Sequence, residues 1–150
     1  MMTSLKSLLL GAALLLPASL VVAQQAPPAT TTLAQTLQAN RAKKRILLVG
    51  APTADGPELA QQKKLFAAAG PQLQERDVLV LQLLYGQLSP ADRQYWTQEL
   101  KQSLTSFSVV LIGKDGGVKL NQLQPLAPAD LFGTVDKMPM RKQEAKRLKK

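Results

Sequence analysis

Three apolar runs, Ile46-Leu47-Leu48-Val49, Val78 to Leu84 and Phe107 to Ile112, are separated by two amphipathic segments. A short continuous apolar run is what a strand buried on both faces requires. A helix-sized segment between two such strands suits a parallel crossover and not a hairpin. This spacing therefore predicts an α/β fold.

The intervening segments carry helix signals. Pro57 suits a first helical position, with Asp55 or Gly56 before it as cap. Leu59, Phe66 and Ala69 form the apolar stripe, and Gly70-Pro71 is read as the stop. Ser89-Pro90-Ala91-Asp92 supplies a capping Ser, a helix-opening Pro and an acid in the first turn. Trp96, Leu100 and Leu104 then recur on one face. Lys114-Asp115-Gly116-Gly117 predicts a hairpin turn, since Asp-Gly tolerates the positive φ of a tight turn. Val118 and Leu120 alternate with Lys119 and Asn121, as in a half-exposed edge strand. Asp130 is read as the cap of a short helix, Leu131 to Asp136.

The predicted order is β-α-β-α-β-β-α. A doubly wound fold and a thioredoxin-like fold both accommodate it. The closing hairpin followed by a helix favours the thioredoxin-like one, a mixed four-stranded sheet with helices on both faces. The body of this fold spans residues 41–140.

The chain ends have their own signatures. Lys6 precedes an apolar run from Leu8 to Val22 that closes on Val21-Val22-Ala23. That pattern predicts a signal peptide over residues 1–23, export to the periplasm or beyond, and no membrane span after cleavage. Residues 24–40 begin QQAPPATTT and are read as a linker, with Leu33 and Leu37 hinting at a helical turn. Lys137 to Lys150 holds seven basic residues and one acid, Glu144, out of 19 basic and 10 acidic residues in the whole chain. Residues 141–150 are read as a solvated, partly helical basic tail.

Composition removes several chemistries. The chain has no Cys and no His. It therefore has no thiolate nucleophile, no redox Cys pair, no Cys or His metal site and no imidazole base. Thiol redox catalysis is excluded, and no cofactor or metal is called.

Three strings stand in a recognisable order: Glu75-Arg76-Asp77, Leu111-Ile112-Gly113-Lys114-Asp115-Gly116 and Asp136-Lys137-Met138-Pro139-Met140-Arg141. Their order resembles a domain-of-unknown-function (DUF) family of bacterial exported proteins. A related domain occurs in vertebrate sushi-repeat-containing and coiled-coil-domain-containing matrix proteins. The resemblance covers about residues 40 to 145. It implies a thioredoxin- or peroxiredoxin-like fold without the redox cysteines. The chain departs from the family at Asn40-Arg41-Ala42-Lys43, where an aromatic residue is usual.

On that topology the loop after the first strand, Ala51 to Gly56, is where the nucleophile of such a fold would stand, and it holds no sulfur. The motif residues fall at the opposite pole. Arg76, Asp77, Lys114, Asp115, Asp136 and Arg141 are predicted to meet there as one charged cluster, either a salt-bridged cap or a recognition site for an anion. Gly113 and Gly116 shape the turn, and Met138, Pro139 and Met140 lock the last helix to the core. A metal shared by Asp77, Asp115 and Asp136 is disfavoured by the neighbouring cations. Arg141, Lys142, Lys146, Arg147, Lys149 and Lys150 form an anionic-surface tail, whose partner is a protein or an envelope or matrix polymer. No specific nucleic acid is expected, since no aromatic platform accompanies the charge. The functional expectation is an exported noncatalytic binding module. The alternative is an enzyme or antioxidant that uses the Arg/Lys/Asp cluster.

Overall fold

The computed structural model describes residues 31–150. The signal-peptide expectation for 1–23 and the first part of the linker lie outside the described residues. The elements are α1 (Leu33–Asn40), β1 (Arg45–Ala51), α2 (Pro57–Phe66), α3 (Gly70–Glu75), β2 (Val78–Leu84), α4 (Pro90–Gln94), β3 (Ser108–Ile112), β4 (Val118–Gln122), α5 (Pro128–Asp136) and α6 (Pro139–Leu148).

The four strands form one sheet in the order β2-β1-β3-β4. β1 and β2 run parallel with Arg45 opposite Val78. β3 is antiparallel to β1, with Ile46 opposite Ile112. β4 returns antiparallel to β3 through the predicted hairpin. This is the thioredoxin-like arrangement, because a doubly wound sheet would set β3 parallel to β1.

The two-residue period of a strand divides the core into two halves. Leu47, Val49, Val109 and Leu111 meet Leu59, Leu73, Leu131 and Val135 on one face, under α2, α3 and α5. Ile46, Leu48, Val110 and Ile112 meet Leu33, Tyr85, Trp96 and Leu100 on the other. Each apolar strand run thus feeds both halves, which explains why β1 and β3 show no polar alternation.

Several local expectations are corrected. The span 24–40 is not linker throughout. Residues 33–40 form α1, capped by Thr32, whose Oγ1 accepts from Gln35 N–H and whose own N–H donates back to Gln35 Oε1. Leu33 is buried, and its N–H donates to Asp92 Oδ1 at 2.7 Å. Gly70-Pro71 does not merely stop α2, which ends at Phe66; it opens α3, since Pro fits the first turn where its missing N–H is not needed. Trp96 and Leu100 are buried as expected, but the helix does not reach Leu104. It passes from α4 into a π-helical turn, Tyr95–Glu99, closed by Leu100 N–H to Tyr95 O at 3.0 Å. Asp130 is not a cap; Pro128 opens α5 and Asp130 lies within its first turn, where an acid suits the helix dipole.

Candidate functional site

Parallel β1 and β2 begin at the same pole at which antiparallel β3 ends. The sheet therefore delivers Arg45, Arg76-Asp77 and Gly113-Lys114 to one place. The end of α5 and the start of α6 add Asp136 and Arg141. The structure brings Arg76, Asp77, Lys114, Asp136 and Arg141 together, in two linked networks.

The first network is centred on Asp136. Arg76 donates to it through Nε (2.9 Å) and Nη2 (3.0 Å). Arg141 Nε reaches it at 3.4 Å, while Arg141 Nη2 donates to Glu75 Oε1 at 2.7 Å and Nη1 to the Glu75 carbonyl at 3.2 Å. The Arg76 guanidinium also stacks over the Phe132 ring at 4.6 Å. Asp136 is held below the usual carboxylate range, mainly by the Arg76 hydrogen bond, against the opposing effect of burial.

The second network is centred on Lys114, only 8 % exposed. Its Nζ donates to Asp77 Oδ2 at 2.9 Å and to Glu144 Oε1 at 2.6 Å. Lys44 adds a bond to Asp77 at 3.2 Å. Arg45 donates to Glu144 at 3.2 and 3.4 Å. Arg45 Nη1 also reaches the Arg76 carbonyl at 2.8 Å and so joins the two networks. Burial pushes Asp77 and Glu144 up, but the Lys and Arg hydrogen bonds outweigh it, and both carboxyls lie below their ordinary values.

Asp115 is a correction, since it stands outside both networks. It turns back into the hairpin, accepting from Gly117 N–H at 2.9 Å and Lys119 Nζ at 2.6 Å. Four contributors were missed: Lys44, Arg45, Glu75 and Glu144. Glu144 had a signal in the sequence. It is the one acid in the basic terminal segment and follows Arg141 by three residues, so both share a helix face.

The segment 141–150 is a second correction. α6 runs from Pro139 to Leu148, and it is anchored by buried Arg141 and by Glu144. The boundary at 140 therefore cuts a helix that belongs to the domain. Lys142, Lys146, Arg147, Lys149 and Lys150 remain exposed.

The motif residues also shape cavities. A Cβ at Gly113 would come within 2.6 Å of Lys119 Cε, so a side chain there would push the Lys119 chain aside. Gly116 holds φ at +85°, a conformation that L side chains rarely adopt. Met138 packs on the core. Met140 does not; it is 40 % exposed and, with Met138 and Pro139, borders a cavity of about 160 Å³ shared with Arg45, Lys114 and Lys119. A groove of about 410 Å³ runs along α6, lined by Arg76, Asp136, Arg141, Lys142, Lys146 and Lys149. At the opposite pole, Pro52 to Asp55 form an exposed bend and turn between β1 and α2.

Among the described residues, no group of three or more carboxylates is placed to hold a metal ion, and no helix is long and apolar enough to cross a membrane.

Comparison with known proteins agrees with this architecture. The family described as Domain of unknown function (DUF4174) matches residues 36–144. A reduced 2-Cys peroxiredoxin of Plasmodium vivax superposes with a TM-score of 0.52 at 14% identity, covering 71% of this chain and 84% of its own. Thioredoxin peroxidase I of Plasmodium yoelii gives 0.49 at 16% identity, covering 73% and 79%. The P. vivax likeness establishes a thioredoxin-like fold and nothing about activity. None of the curated proteins matches the sequence.

Proposed function

We propose that this chain, which belongs to the DUF4174 family, is an exported noncatalytic binding module that holds an anionic envelope or matrix polymer along α6. The observation that carries this reading is the basic groove, in which Asp136 is the one acid among five cations.

The groove divides its labour. Arg76 and Arg141 are engaged by Asp136 and Glu75 and form a rigid floor. Lys142, Lys146 and Lys149 are exposed and take part in none of the ion pairs above. Their spacing puts all three on one helical face. At 1.5 Å rise per residue they span about 10 Å, a length suited to successive charges on a polymer. Such binding is electrostatic and weakens with salt. The motif strings resemble a family of bacterial exported proteins with a related domain in vertebrate matrix proteins, which supports a polymer outside the cell. The signal pattern of residues 1–23 supports export.

Retention on immobilised heparin in rising salt tests the groove. Replacing Lys142, Lys146 and Lys149 together by Glu is expected to move elution to much lower salt without changing the fold. Elution at the same salt would refute polymer binding by α6. N-terminal sequencing of the protein from the exported fraction should begin at Gln24. A chain retaining Met1 in the cytosol would count against export.

A further inference from the structure

β2 has the composition of an interior strand and the place of an edge strand. Its sequence, Val78-Leu79-Val80-Leu81-Gln82-Leu83-Leu84, holds no charge, no Pro and no Gly. An apolar run of this kind belongs to a strand covered on all sides, as β1 and β3 are along their whole length. Yet β2 ends the sheet, and only Val78 of its seven residues is buried. Leu79 is 37 % exposed.

The other edge is protected against a further strand. β4 sets Lys119 and Asn121 between its apolar residues, and its ladder with β3 shifts register at Leu111/Ile112. A charge on the strand and an irregular ladder both deter added pairing. β2 has neither, and its register with β1 is unbroken from Val78 to Leu84.

The hydrogen-bond pattern fixes which groups are open. Arg45 N–H donates to Asp77 O at 2.8 Å, and Arg45 stands opposite Val78. In a parallel ladder this turns the N–H and C=O of Leu79, Leu81 and Leu83 toward β1. Those of Val78, Val80, Gln82 and Leu84 point away from the sheet, and among the described residues no backbone group bonds to them.

These open groups are complementary to themselves. Two β2 strands set antiparallel about a two-fold axis beside Leu81 bring Val78 opposite Leu84 of the second copy, and Val80 opposite Gln82 of the second copy. Each is a hydrogen-bonded pair that exchanges two bonds. Both apolar faces continue across the axis. Val78, Val80 and Leu84 extend the core half under α2 and α3, and Leu81 and Leu83 extend the half around Trp96. The strand carries no charge, so none meets a like charge. Such an isologous pairing consumes both open edges and closes at two chains. We infer that the protein forms a two-fold dimer through antiparallel pairing of β2 with β2 of a second copy, giving one continuous sheet through both chains.

Sedimentation equilibrium of the purified chain tests this. The mass of two chains is expected at high concentration, with dissociation on dilution. Gln82→Pro removes an N–H that the β1 ladder does not use, at an edge where Pro is tolerated. Two bonds are lost per dimer, so association should weaken about tenfold or more. Gln82→Lys keeps the N–H and sets two like charges near the axis, and it should act in the same direction. Circular dichroism should be unchanged in both; if Gln82→Pro does not fold, Gln82→Lys decides. Asn121→Lys on β4 should leave association as it is. A single-chain mass at every concentration, a mass beyond two chains, an equally stable dimer in a folded Gln82 variant, or dissociation caused by Asn121→Lys would each overturn the proposal.

Discussion

Arg76 grips Asp136 with two parallel hydrogen bonds, Nε to Oδ1 at 2.9 Å and Nη2 to Oδ2 at 3.0 Å, joining the start of β2 to the end of α5. A forked guanidinium against a carboxylate fixes angle as well as distance. The fork also lies over Phe132, so the same side chain seals apolar surface.

Arg76→Lys keeps the charge but loses both fork and stacking. The expected cost is about 1 kcal/mol, limited by the solvent exposure of Asp136. Urea denaturation should show a lower midpoint with an unchanged slope. An unchanged midpoint would show that the pair contributes no stability.

Lys114 sits between Asp77 and Glu144. Lys114→Met removes the cation and leaves two carboxylates facing each other in a partly buried site. The loss should be about 2–3 kcal/mol. Adding Glu144→Gln should restore part of it, and a double-mutant cycle measures the coupling. Simple additivity of the two changes would contradict a shared network.

Acid should weaken the charged pole. Asp136 is held low chiefly by Arg76, and in Asp77 and Glu144 the cation hydrogen bonds outweigh burial. A folded-state pKa below the unfolded one means that the unfolded chain takes up protons first. The stability from these groups is complete above the unfolded carboxylate value of ~4 and is lost as pH falls through the lower folded values. Denaturation midpoints recorded downward from neutral pH should stay level and then fall in that window. Asp136→Asn should reduce the fall, and a fall of the same size in that variant would remove Asp136 from the explanation.

Leu33 belongs to the core although it precedes the first strand. Leu33→Ala should destabilise the fold by about 2 kcal/mol or more, with a smaller effect from Asp92→Ala, which removes the acceptor of the Leu33 N–H. If residues 33–40 were a linker, thermal unfolding would be insensitive to both changes.

Gly50 lies in β1 against two aromatic rings. A Cβ there would approach Tyr85 Oη at 2.5 Å and Trp96 Cζ2 at 2.7 Å. Both rings are tied to backbone carbonyls, Tyr85 Oη to Ser106 and Trp96 Nε1 to Ser103, each at 2.9 Å. They have little room to yield, so Gly50→Ala should cost about 1–3 kcal/mol. A melting temperature equal to that of the parent would show that the rings can shift.

The sheet was largely legible because strand burial leaves a direct mark. Ile46 to Val49 and Val109 to Ile112 are apolar on both faces since each strand feeds two cores. The Asp115-Gly116 turn was readable for a local reason, the positive φ at Gly116. Helix ends were less so. Pro57, Pro71, Pro90, Pro128 and Pro139 all stand in first turns, so a Pro read as a stop at position 71 was a start. The π-helical turn at Tyr95–Glu99, which contains the buried Trp96, left no mark in the local sequence.

The sequence alone determined the α/β class, the succession of strands and helices along the chain and the absence of any thiol or imidazole, because these depend on residue type and short-range periodicity. The meeting of five of the six cluster residues at one pole needed β3 to run antiparallel to β1, a choice the sequence left open between two topologies. Only the tertiary structure decided which charges pair. Asp115 turns into its own hairpin, while Arg45 and Glu144, far apart in the chain, close the network. Ion pairing depends on distances of a few ångströms between side chains, and those distances exist only once α6 has docked on the ends of the strands.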